Sequence, residues 1–114
     1  MWIRRKVKSG QQFGRQLGHP TLNFNVGVFG SKYKPGVYTC EVRIHDTSYK
    51  GALFFGHKST TRKMVLEVYV LNYFGNLYGQ YVYFKPLKWL RAPKKFSSSE
   101  LLKKQIQKDV ASIV

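Results

Sequence analysis

The chain has 114 residues, 43% hydrophobic and 16% aromatic, which suits one modest core and excludes a disordered segment. Twenty Lys and Arg against five Asp and Glu give a formal charge of +15, a surface that attracts polyanions. A single cysteine excludes an internal disulfide, and no apolar run reaches the roughly 18 residues of a membrane helix.

Strand signals dominate the chain in order. Ile3 to Lys8 alternates, with Arg4, Lys6 and Lys8 on one face. Thr21 to Val28 reads as extended. Gly36 to His45 alternates cleanly, Val37, Thr39, Glu41 and Arg43 opposing Tyr38, Cys40, Val42 and Ile44. Asp46-Thr47-Ser48 is turn chemistry, so Tyr49 to Phe55 should return antiparallel. Met64 to Tyr73 reads as a long strand, Gly75-Asn76 as a turn, and Gln80 to Lys85 as the next strand. Pro86 should end that strand or hold an edge. Ser97-Ser98-Ser99-Glu100 is a capping-box string, and Leu102, Ile106, Val110 and Ile113 follow at helical spacing. Roughly six short strands before one helix predict a mainly β fold: a small six-stranded antiparallel, Greek-key-like barrel with one C-terminal α-helix. Residues 1–114 are read as one domain.

The densest chemistry lies in Gly10-Gln11-Gln12-Phe13-Gly14-Arg15-Gln16-Leu17-Gly18-His19-Pro20-Thr21-Leu22-Asn23. Its glycines let backbone N–H groups approach an anion, and Arg15 adds a planar fork for phosphate oxygens. Thr21 and Asn23 at i, i+2 share a face of a strand and offer neutral oxygens. Such oxygens together with phosphate suit Mg²⁺. The segment reads as a magnesium-nucleotide site. It is not a P-loop, because no G-x-x-x-x-G-K-[ST] string occurs, and the H-R-D and D-F-G strings of protein kinases are missing too.

The ordered run Gly10-x-x-x-Gly14-Arg15-x-Leu17-Gly18-x-Pro20-Thr21-x-Asn23 resembles the entry motif of riboflavin kinases. Leu66-Glu67-Val68-Tyr69 is similar to that family's strand carrying a catalytic glutamate. Phe74-Gly75-Asn76-Leu77-Tyr78-Gly79 is similar to its following turn. Leu90-Arg91 through Phe96-Ser97 resembles the segment before its last helix, which Gln105, Ile106 and Asp109 fit. The resemblance spans nearly the whole chain. It implies a closed six-stranded barrel and transfer of the γ-phosphoryl group of ATP to riboflavin, giving FMN and ADP. It also implies Mg²⁺ or another divalent cation at Thr21 and Asn23, nucleotide phosphates at Gly10, Gly14, Arg15, Gly18, Pro20 and Thr21, Glu67 as catalytic base, and flavin contacts from Arg91 and Phe96.

Glu41 reads as a solvated strand residue, Asp46 as a turn former and Glu100 as a helix cap. Glu67 alone sits in an otherwise apolar or aromatic run, Met64 to Leu71, where a carboxylate is costly to bury unless paired or functional. From its neighbours alone, a rim glutamate paired with a cation is equally good; the resemblance favours the base. His45 and His57 lack partners at metal-ligand spacing, and Cys40 reads as a small core residue. The +15 charge is attributed first to composition bias. A small basic barrel that binds RNA or single-stranded nucleic acid without catalysis is the alternative. The expected protein is a monomer with no membrane association, cytoplasmic because Met1 to Lys8 lacks the apolar stretch of a signal peptide, and without an adenylyltransferase domain, for which 114 residues leave no room.

Overall fold

The computed structural model describes residues 2–8, 21–27, 29–57, 63–73, 75, 77–93 and 98–113. Six antiparallel strands form one sheet: β1 (Ile3–Lys6), β2 (Thr21–Phe24), β3 (Gly36–Ile44), β4 (Thr47–His57), β5 (Met64–Val70) and β6 (Tyr81–Arg91). Their order is β1-β6-β3-β4-β5-β2. An antiparallel bridge from Lys8 to Asn23, with Lys8 N–H donating to Asn23 O at 2.8 Å, joins the two edges into a nearly closed barrel. Helix α1 (Ser99–Ile113) follows and lies against β4.

Strand alternation builds the interior. Tyr38, Cys40, Val42 and Ile44 of β3 are buried, as are Leu66, Val68 and Val70 of β5, with Phe24 and Phe84 meeting at a centroid distance of 4.9 Å. Burial pushes the Cys40 thiol up to about 12, so it behaves as an apolar filler. The predicted division of β3 into two faces holds, except that Val37 on the outer face is also buried.

Several boundaries differ from the sequence reading. β2 ends at Phe24; Gly27 turns with φ +55°, and Phe29–Ser31 form a short 3₁₀ turn. The β3–β4 hairpin turns on His45-Asp46, because Ile44 pairs with Thr47 and His45 takes φ +55°. Thr47 and Ser48, read as turn residues, are in the strand. β5 stops at Val70, and Asn72 at φ +61° makes the turn. β6 passes through Pro86 and reaches Arg91. Two features allow this. β1 pairs only with Tyr81 to Phe84, so β6 is an edge beyond them, and the step from Tyr38↔Trp89 to Cys40↔Pro86 sets an extra residue on β6 as a bulge. The helix cap is Ser98, whose Oγ accepts from Leu101 N–H at 3.3 Å, one residue later than the capping-box string suggests.

Candidate active site

The run Met64 to Val70 looks continuously apolar, yet as a strand it alternates. Leu66 and Val68 point into the core, while Glu67 between them is half-buried on the outer face. The desolvation expected for Glu67 is therefore partial. Antiparallel register sets Glu67 directly opposite Asn23 on β2 and Phe54 on β4. Directly opposed residues stand about 4.5–5.5 Å apart between Cα atoms. The glutamate and the asparagine are thus immediate neighbours on one outer surface of the barrel. Thr21 lies two residues before Asn23, paired with Tyr69.

Asn23 is 7% exposed, and among the described residues its carboxamide has no hydrogen-bond partner. A buried amide oxygen is costly to leave without a hydrogen-bond or coordination partner. Among the described residues no group of three or more His, Cys, Asp or Glu could hold a metal by itself. The donor set fits a cation such as Mg²⁺, which accepts few protein oxygens and completes its shell from water and phosphate.

The row through Glu67 continues across the sheet. Phe54 pairs with Val37 on β3, and Val37 with Arg91 on β6. Arg91 stands three strands from Glu67, about 14 Å at the usual strand spacing. It is committed to α1: Nε donates to Asp109 Oδ1 at 3.0 Å, Nη2 donates to Oδ2 at 2.8 Å, and Nη1 donates to Ala92 O. Gln105 Nε2 donates to the same Asp109 carboxylate at 3.1 Å. The residue read as a flavin contact thus fastens the last helix to β6. Sequence reasoning placed Asp109 on the helix but missed this pairing. The available signal was its position three residues after Ile106, both buried on one face.

Glu41 and Asp46 stay as read, whereas Glu100, read as a cap, stands one position short of the capping-box place because the cap is Ser98. Glu41 faces Lys50 on β4 and Lys85 on β6, and Asp46 is in the hairpin turn. Gly10, Gly14, Arg15, Gly18 and Pro20, read as phosphate-binding, lie outside the described residues, as does Phe96.

The sequence model of the Flavokinase family, described as riboflavin kinase, matches residues 1–114. The chain belongs to the riboflavin kinase family. It is 32% identical over 104 residues to the bifunctional riboflavin kinase/FMN adenylyltransferase of Mycoplasma pneumoniae, covering 91% of this chain and 38% of that protein. A crystal structure of riboflavin kinase from Trypanosoma brucei matches it with a TM-score of 0.62 at 26% identity, covering 96% of this chain and 74% of that one. A Streptococcus pneumoniae structure described as a macrolide-efflux protein matches with a TM-score of 0.79 at 25% identity, covering 98% of this chain and 38% of the other. The chain spans under half the length of the first curated relatives it matches, which are 38%, 47% and 34% covered. The riboflavin kinase fold, a six-stranded antiparallel barrel with a C-terminal helix, is the one observed.

Proposed function

We propose that this chain transfers the γ-phosphoryl group of ATP to the 5′-hydroxyl of riboflavin, giving FMN and ADP. The observation that carries the reading is the opposed Asn23–Glu67 pair on one outer face of a riboflavin-kinase barrel. Glu67 takes the proton of the ribityl hydroxyl as that oxygen attacks. Thr21 and Asn23 hold Mg²⁺, which when bound supplies positive charge against the phosphate oxygens. Gly10, Gly14, Gly18 and Pro20 shape the loop that meets the nucleotide phosphates, and Arg15 adds its guanidinium fork. Phe54, beside Glu67 in the same row, supplies an apolar wall for the acceptor. Positioning and charge neutralisation provide most of the acceleration, because phosphoryl transfer asks little covalent work of the protein. Arg91 serves the flavin site through its hold on α1, and Phe96 lies in the adjoining segment. The protein works as a monomer in the cytoplasm, and its free buried thiol fits a reducing compartment. A barrel that binds nucleic acid in place of catalysis is not favoured, because the whole chain matches a kinase family.

The test is FMN formation from riboflavin, ATP and Mg²⁺, followed by chromatography. The native protein should turn over, and Glu67→Gln should lower kcat by about 10²–10⁴-fold while riboflavin binding persists. Native protein without turnover rejects the activity; an undiminished Glu67→Gln rate rejects the base.

A further inference from the structure

The net charge of +15 is far more than a phosphate site uses. The fold sorts part of it onto one surface. On the outer face of β1, β6 and β3, register sets Arg4, Tyr83 and Arg43 in one row, with Lys6 opposite Tyr81 in another. A third row places Lys85 beside Glu41, the one acid in these rows. The aromatic rings are exposed, Tyr81 by 53% and Tyr83 by 43%. Cations already stack on rings here: the Arg4 guanidinium lies 3.9 Å from the Tyr81 centroid, and Arg43 and Lys85 lie 4.9 and 6.0 Å from that of Trp2. In the barrel order β6 and β3 stand opposite β5 and β2, so the rows on β6 and β3 are remote from the Asn23–Glu67 surface, while β1 adjoins β2 through the Lys8–Asn23 bridge.

We infer that this face is a binding platform for single-stranded nucleic acid. Flat rings give unpaired bases a surface to stack on, and flanking arginines and lysines meet the phosphates. The chemistry favours a strand over a lipid surface. Among the described residues the exposed side chains of these rows are rings and cations, and a single exposed aliphatic, Leu87, lies further along β6, too little apolar surface to insert into a bilayer. A duplex would keep its bases away from the rings. The platform is independent of turnover, because none of these residues belongs to the proposed catalytic machinery.

The experiment measures fluorescence anisotropy of a labelled oligouridine of about a dozen nucleotides, a matched duplex and anionic phosphatidylserine vesicles, across a salt series. Five or so phosphate contacts predict about a 100-fold loss of affinity between roughly 50 and 200 mM salt. Tyr83→Leu and Tyr81→Leu should each weaken single-strand binding about tenfold, and Tyr83→Phe should restore it. Arg4→Gln with Arg43→Gln should flatten the salt slope, an independent check should a tyrosine variant fold poorly. FMN formation should be unchanged in all of them. The inference is overturned by no single-strand binding at low salt, by equal affinity for duplex that the tyrosine variants leave unaltered, or by tighter binding to the vesicles.

Discussion

Asp109→Asn removes one charge from the pair that fastens α1 while keeping the side-chain shape. Arg91 and Asp109 meet through two hydrogen bonds, at 3.0 and 2.8 Å, and their side chains are only 17% and 10% exposed. Breaking such a pair costs about 3–5 kcal/mol when the remaining charge is fully buried. Residual exposure puts this site at the low end, about 3 kcal/mol. For a domain of this size 1 kcal/mol corresponds to roughly 4 °C, so the melting temperature should fall by about 12 °C. Replacing both partners, Arg91→Met with Asp109→Leu, leaves no orphan charge and should be more stable than Asp109→Asn alone. Circular dichroism of the native chain, Arg91→Met, Asp109→Leu and the double variant gives the coupling energy, expected above about 1.5 kcal/mol. Additive single effects, or an Asp109→Asn loss below about 1 kcal/mol, would refute the idea that this pair holds the helix. The same variants should raise the KM for riboflavin more than that for ATP.

Two further outcomes follow from the interior. Gly36 adopts φ +154°, and an added Cβ would sit 2.2 Å from Trp89 Nε1 and 2.5 Å from Arg91 O. Gly36→Ala should therefore cost about 2–4 kcal/mol in urea denaturation and perturb Trp89 fluorescence; a loss under about 0.5 kcal/mol would contradict the packing. Burial raises the Cys40 thiol from 9.0 to about 12, so the folded state favours the protonated form. Its contribution is complete below pH 9 and is lost as pH rises from there toward 12, at about 1.4 kcal/mol per unit. Cys40→Ala should flatten that part of the stability profile relative to the native chain, and the native thiol should resist iodoacetamide near neutral pH. A native profile parallel to that of Cys40→Ala above pH 9 would sink this reading.

Much of the architecture is legible from local pattern. Period-two alternation marks β3 and the core side of β5, and the 3.6-residue spacing of Ile106 and Val110 marks α1. Asn23 and Glu67 stand out because a carboxamide and a carboxylate interrupt strand-forming runs. The boundaries were harder to read. The hairpin turn fell on His45-Asp46 because cross-strand register, which no single segment contains, chose it. β6 passed Pro86 because the end of β1 left that edge without a partner needing its N–H.

By itself the sequence determined the strand and helix periods, the buried residue types and the excess of cations. These depend only on near neighbours along the chain, since backbone geometry fixes which side chains share a face. Tertiary structure decided what no local rule contains: that Asn23 faces Glu67, that Arg91 is held by Asp109, and that Arg4, Tyr83 and Arg43 fall in one row. Those pairings are made by residues 18 to 79 positions apart, and they exist only once strand register and helix docking are fixed by burial of the common core.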